Sequence, residues 1–310
     1  MEKVAPLFRY VGGKSWMREV LRSEFDTLLK SQSEKIENYC EPFAGGLGVF
    51  LNVYDILKEN GIKNVLINDI NGKLINIYKA IQFESEKFLK DYMKIENAFA
   101  KKIPVSEVKN DKDGLLNAYN YYKDIRKAYN LSKLKGNKVN TKIAAQLFFL
   151  QNHCFNGIYR ENGSGQYNTS FNWSDKKFNK KDIWENILSI KSVFEDFNIS
   201  FSALSYKEIN YIPGTFYYLD PPYINDKEDT AENKYHKLGF DVKDQKYLIK
   251  KLKNIVFIYS NHDNEILEES FKEFSNEREL IIKRIPRRNI ISAKSETRSI
   301  EKIELLVIGK

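Results

Sequence analysis

The run YCEPFAGGLGVFL at residues 39–51 has an aromatic, β-type lead-in, three close glycines at Gly45, Gly46 and Gly48, and an apolar continuation from Val49. Such a segment makes a strand, a tight loop and a helix start. A strand feeding a helix in this way opens a βαβ unit, and further parallel strands must then pair with it. Strand-type runs at 37–40, 64–68, 199–204, 216–220 and 254–260 meet that need, with helical periods between most of them. Parallel strands with right-handed crossovers fit these five, and runs at 279–285 and 302–308 are expected to close the sheet as an antiparallel pair. The expected fold class is α/β, doubly wound and Rossmann-like.

From about residue 83 to 181 the pattern changes to helical periods at 86–100, 114–129 and 142–153, broken by SKLKGNK at 132–138. This predicts a separate, mostly helical lobe at 84–183, inserted into a domain formed by 1–83 and 184–310. The end of the lobe, FNGIYRENGSGQYNTSFNW at 155–173, places two aromatic runs around ENGSG, the pattern of a β-hairpin with a glycine turn. A hairpin between basic helices can enter a DNA groove. An ordinary surface hairpin has the same pattern.

Lys and Arg total 50 against 42 Asp and Glu, a net charge of +8 that attracts polyanions through counterion release. Nucleic acid is the first partner this suggests, with a solvated basic surface as the plainer reading. Cys40 and Cys154 are the only cysteines, and without a Cys-x-x-Cys pair or a secretory leader neither a disulfide framework nor a zinc site is expected. A reducing cytoplasm follows. His153, His236 and His262 are scattered, so no metal is expected. The most apolar run, AAQLFFL at 144–150, is far too short to span a bilayer, and a soluble protein with no membrane partner is expected.

In NVLINDIN the second strand ends at Asp69, where a carboxylate can accept hydrogen bonds from ribose hydroxyls. A glycine loop with an acidic strand end points to a nucleoside cofactor, or more plainly to a turn and a helix cap. The dinucleotide fingerprint G-x-G-x-x-G is absent, because GGLG continues directly into VFL, so a cofactor without phosphates fits better.

The sharpest signal is FYYLDPPY at 216–223, an aromatic strand ending in Asp220 and followed by Pro221, Pro222 and Tyr223. Two prolines of fixed φ lock the turn, so the Asp220 carboxylate and the Pro221 carbonyl can be presented as paired acceptors. An exocyclic amine has two hydrogens for them, and receiving both aims its nitrogen at an electrophilic methyl group. Tyr223 can then stack on an extruded base. A strand that simply ends in an Asp-Pro turn is the plainer alternative.

In this order, FRYVGGK, CEPFAGGLGVF, LINDIN, NHCFNGIYRENGSGQYNTSF, DPPY, YSNHD and IPRRNIISAKSETR resemble the motifs of the Dam-type, D12 class adenine-specific DNA methyltransferases over essentially the whole chain. The resemblance implies a Rossmann-like S-adenosylmethionine-dependent methyltransferase fold with an inserted DNA-recognition domain carrying the hairpin. It also implies methyl transfer to the N6 of a flipped adenine in double-stranded DNA, with S-adenosylhomocysteine as product and no metal. The implied catalytic set is Asp220, Pro221, Pro222 and Tyr223. The implied cofactor set is Tyr10, Gly12, Gly13, Lys14, Glu41, Pro42, Phe43, Ala44, Gly45, Gly48, Asp69 and Ile70, with Asp220. DNA contacts would come from Arg9, Asn152, Phe155, Asn156, Ile158, Arg160, Tyr235, Asn261 and Arg288. Arg9 and Arg160 have phosphate contacts as their plainer role, Phe155 a place in the core, and Asn156-Gly157 a turn.

Ser170 stands where GATC-specific members carry a proline, and Trp173 replaces a glycine-rich end, which counts against GATC as the site. A cognate restriction endonuclease is one expected partner, with a lone methylase as the other arrangement, and the chain is expected to be a monomer or weak dimer in the cytoplasm, at the nucleoid through DNA. Two rival functions remain: methylation of an amine in RNA or of a protein glutamine, and DNA binding on a catalytically dead fold. The insert before DPPY speaks against the first, and the intact DPPY and glycine loop against the second.

Overall fold

The computed structural model describes residues 4–10, 12–103, 115–173, 180–223, 240–276, 278–287 and 302–310. All seven strand-type runs become strands of one sheet: β1 (Asn38–Glu41), β2 (Asn64–Asn68), β3 (Asn198–Ser202), β4 (Thr215–Leu219), β5 (Val256–His262), β6 (Leu280–Arg287) and β7 (Lys302–Gly309). Their order is β3-β2-β1-β4-β5-β7-β6. The first five are parallel, as their aromatic and β-branched runs require when both faces are covered. The expected antiparallel pair is present with the later strand inside: β7 lies between β5 and β6 and runs against both.

Alternation along a strand sends neighbours to opposite faces, and β4 shows it with every residue buried. Phe216 and Tyr218 join one core cluster, and Tyr217 and Leu219 the other. The first cluster is closed by helices α1 (Arg18–Lys30), α2 (Phe50–Glu59) and the start of α3 (Gly72–Ala100), where Phe25 meets Phe216 edge-on at 4.8 Å. Across the sheet, α7 (Val242–Lys251) and α8 (Glu265–Ser275) cover the second cluster with Leu248, Leu267 and Phe271.

Helix α3 begins under an Asn71 side chain that accepts from the Lys73 and Leu74 amides, and it breaks at Glu84 (φ −139°, ψ 39°). Beyond the break it leaves the sheet and packs on α5 (Thr141–His153), through ring pairs such as Tyr92–Phe148 at 4.6 Å and Phe99–Phe149 at 5.1 Å. The run AAQLFFL is buried on nearly every side, because α5 is the central helix between α3 and α4 (Leu116–Leu131). Helix α6 (Lys180–Glu195) returns the chain to the sheet, where Phe194 meets Phe201 at 5.2 Å. The apolar core of the helical lobe therefore runs unbroken into that of the sheet. Among the described residues, no helix is long and apolar enough to cross a membrane.

The hairpin expected at 155–173 is present as an excursion held by isolated bridges, Cys154 with Phe171 and Glu161 with Tyr167, rather than by continuous strands. Its inward side chains explain the broken ladder. Tyr167 and Phe171 are buried in the lobe, and Tyr122 donates to the Thr169 carbonyl at 3.1 Å.

Candidate active site

The glycine loop and the Asp220 turn, both singled out in the sequence, leave the sheet at the same edge. Strand β1 runs into the glycine loop, and its parallel neighbour β4 runs into Asp220-Pro221-Pro222-Tyr223. Strand order reverses between these two, with β2 and β3 continuing on one side and β5 on the other. Such a reversal leaves a crevice beyond the strand ends, the usual ligand position in an open α/β sheet.

Beside the Asp220 turn lies a buried ammonium. Lys14 Nζ sits 2.7 and 2.8 Å from the two Asp220 oxygens and 2.8 Å from the Tyr223 hydroxyl. It also lies 3.0 Å from Oε1 of Glu304, with Lys14 and Glu304 only 1% and 2% exposed. Burial works against the Lys14 charge, but Asp220, together with Glu304, holds the ammonium above the usual lysine range. Burial also pushes the Asp220 carboxyl up to about 6, against the pull of Lys14 and with a further push from Glu304. Asn261 donates to the Pro221 carbonyl at 3.1 Å and accepts from the His262 amide at 2.8 Å, so the turn is braced from β5.

At the other side of the crevice, Asp69 ties two loops together. Its Oδ2 accepts from the Gly45 amide at 2.9 Å and its Oδ1 from the Asn71 amide at 2.8 Å. The Tyr10 side chain packs closely against the glycine loop. A Cβ on Gly46 would fall 2.7 Å from the Tyr10 Cβ, and Gly45 has φ +48°, so this close approach requires glycine. Tyr10 stacks on Tyr159 at 6.1 Å, which joins the N-terminal segment to the hairpin.

Two comparisons bear on this geometry. A family model described as D12 class N6 adenine-specific DNA methyltransferase matches residues 10–288. The chain belongs to that family. It is thus an adenine-specific DNA methyltransferase, of a family that depends on S-adenosylmethionine. The type II methyltransferase M.MjaIII of Methanocaldococcus jannaschii is similar at 24% identity, over 99% of this chain and 99% of its own. The type II methyltransferase M1.LlaDCHI of Lactococcus lactis subsp. cremoris is 26% identical over 87% and 85% of the two chains, and the DNA adenine methylase of Serratia marcescens 24% over 88% of each.

Within this methyltransferase the residues expected from sequence fall into three groups. Tyr10, Lys14, Gly45, Asp69, Asp220, Pro221 and Tyr223 lie in or against the loops that follow β1, β2 and β4, Tyr10 with Gly45 and Asp69, Lys14 with Asp220 and Tyr223. Phe43, Ala44, Gly48 and the exposed Ile70 lie on the same loops, with Pro222 exposed on the turn and Gly12 and Gly13 just before Lys14. Glu41 and Pro42 are buried beneath. Burial pushes the Glu41 carboxyl up to about 8, and it accepts from the Tyr39 hydroxyl at 2.5 Å, so it supports the loop from below.

The DNA set divides as well. Arg9, Phe155, Asn156 and Ile158 are exposed side by side, Gly157 being so near that a Cβ there would lie 2.9 Å from the Arg9 Cβ. Phe155 is therefore not a core residue. Arg160 braces the hairpin, its Nε donating to Asn168 Oδ1 at 2.8 Å. Asn152 turns its amide toward the buried Tyr92 hydroxyl at 3.5 Å. Asn261 corrects the expectation of a DNA contact: it is 0% exposed, and its amide serves the turn. Tyr235 and Arg288 lie outside the described residues.

Sequence reasoning missed Glu304 and Tyr159. Tyr159 was legible, since the alternation FNGIYR points it away from Ile158 and Arg160. Glu304 had no local signal in KIELLVIG.

Proposed function

We propose that the crevice between β1 and β4 binds S-adenosylmethionine against Tyr10, the glycine loop and Asp69, beside an adenine flipped out of duplex DNA onto Asp220-Pro221-Pro222-Tyr223. The convergence of the Asp220 turn and the Asp69–Gly45 pair at the strand reversal carries this reading. The residues fit the cofactor. Asp69 is a half-buried acceptor suited to ribose hydroxyls, and Ile70, 52% exposed beside it, offers a purine an apolar flank. When bound, S-adenosylmethionine supplies an already activated methyl group, so the chain's own task is orientation.

Asp220 and the Pro221 carbonyl accept the two amine hydrogens, which turns the nitrogen lone pair toward the methyl carbon. Asn261 fixes the carbonyl through one of its two lone pairs and leaves the other to the amine. Tyr223 covers the face of the base. Only ionised Asp220 accepts in this way, and its carboxyl titrates at about 6 rather than in the ordinary carboxylate range. The expected pH profile of kcat/KM therefore falls tenfold per unit below about pH 6. An acid limb reaching unchanged to pH 4.5 would contradict the role.

Residues 84–183 are proposed as the DNA-recognition domain, with 1–83 and 184–310 as the catalytic domain. Arg9, Phe155, Asn156 and Ile158 offer an exposed reading surface, with Arg160 on the hairpin beside them. Arg160→Ala should relax sequence choice more than it weakens binding, since a bidentate arginine–guanine contact contributes about 1–3 kcal/mol of discrimination. The check is methylation of the preferred site and of each single-base variant, with binding measured at several salt concentrations. An equal fall on all sites, with a salt slope smaller by about one, would make Arg160 a phosphate contact.

The direct test of function is methylation-sensitive sequencing of DNA from a methylase-free host expressing the chain. N6-methyladenine at one short motif supports the reading, and Ser170 predicts a motif other than GATC. Two relatives are named type II methyltransferases, which favours a role beside a cognate restriction endonuclease. Resistance of the host DNA to a nuclease cutting at that motif would check it.

A further inference from the structure

Lys14 is shared by two carboxylates, only one of which faces the target. In the structure its ammonium chelates both oxygens of Asp220, at 2.7 and 2.8 Å, and so occupies the group that has to receive the amine. Glu304 stands behind it at 3.0 Å and also accepts from the Tyr223 hydroxyl at 3.2 Å. Glu304 is 2% exposed, among the most buried acidic residues described, and its partners include Lys14 and Tyr223. A lone buried carboxylate would be costly without such a cation. Its position follows from topology. Strand β7 runs against β5, so Glu304, near its beginning, pairs with His262 at the strand end that carries the active site.

We propose that Glu304 is a positioning residue that takes up the Lys14 ammonium while Asp220 holds the target amine. This rests on Asp220 being the amine acceptor. Without Glu304 the ammonium has one strong partner and stays chelated to Asp220, which lowers the acceptor's capacity at the moment of transfer. A small displacement of Nζ suffices, because both carboxylates already lie within hydrogen-bond range.

The test is Glu304→Gln, of nearly equal volume, with Glu304→Asp as the variant that keeps the charge and Asp220→Asn as the control for the parent reading. Glu304→Gln should lower kcat about tenfold or more, the scale of one misplaced orienting contact. KM for S-adenosylmethionine should stay within about twofold, because the residue lies behind the target side of the site. The acid limb of kcat should move to lower pH, since a like charge beside Asp220 has gone.

Other titratable groups near Asp220 are Lys14, Glu41, Tyr218, Tyr223 and Tyr259, and His262 lies 6.1 Å from the Tyr223 ring. The pH profiles are taken in a His262→Gln background, which removes this ring from beside Tyr223. Glu304→Asp should recover part of kcat and keep the limb near that of the parent. A folded Glu304→Gln enzyme with parental kcat and an unmoved limb would overturn the proposal while Asp220→Asn is inactive. Full activity in Asp220→Asn would instead overturn the acceptor reading beneath it. If Glu304→Gln does not fold, the Asp variant decides: its shortened reach should lower kcat several-fold, and a parental rate would overturn the proposal.

Discussion

Asp220→Ala should reduce methyl transfer by about a thousandfold or more, while S-adenosylmethionine affinity stays within a few-fold. On the proposed reading two acceptors orient the amine, and losing one lets the nitrogen rotate out of line, an orientation effect comparable with the loss of a main electrostatic contact in other enzymes. The variant is expected to fold, because the buried Lys14 ammonium keeps Glu304 at 3.0 Å as a partner and is not left alone in the core. The measurement is single-turnover methylation of plasmid DNA alongside calorimetry of cofactor binding. Near-parental turnover would remove Asp220 from the site. Tyr223→Phe, tested beside it, should lose far less, about ten- to a hundredfold, the value of a hydrogen bond to a charged group, since stacking needs only the ring and the hydroxyl meets Lys14 and Glu304.

The second large effect is expected at Asp69. Asp69→Ala should weaken S-adenosylmethionine binding by about ten- to a hundredfold, from charge-assisted hydrogen bonds of about 1.5–3 kcal/mol each. The geometry adds a second source of loss. The same carboxylate receives the Gly45 and Asn71 amides, so its removal also frees the glycine loop that Tyr10 rests on. Asp69→Asn separates the two, since an amide oxygen can keep one loop contact but offers a weaker acceptor to the ribose. Calorimetry showing parental cofactor affinity in a folded Ala variant would reduce Asp69 to a loop brace. DNA affinity, measured in the same preparations, should change little.

Much of the site was legible because its groups sit at strand ends, and strand ends are local features. Asp69 closes an apolar run, the double proline stops β4 at Asp220, and three glycines mark the turn after β1. Each of these reads from a few neighbouring residues. The hairpin was less well foreseen, because its regularity depends on what it packs against. Tyr167 and Phe171 bury themselves in the lobe, and a regular ladder gives way to isolated bridges.

From the chain alone followed the number of strands, their parallel and antiparallel grouping, the run of helices between β2 and β3, and the positions of the two turns after β1 and β4. Each depends on periodicity or on the fixed backbone preferences of proline and glycine, which act over a few residues. The order of strands depends instead on contacts between distant segments. Only the tertiary structure put β1 beside β4, which makes one crevice of two separate motifs. It alone placed Asn261 under the Pro221 carbonyl, where a surface contact had been expected. It alone inserted β7 between β5 and β6, and reversing that one strand carries Glu304 to the same edge as Lys14 and Asp220. A charge in a run such as KIELLVIG has no local partner to betray it. Its meaning comes from a lysine near the other end of the chain, brought to it by the fold.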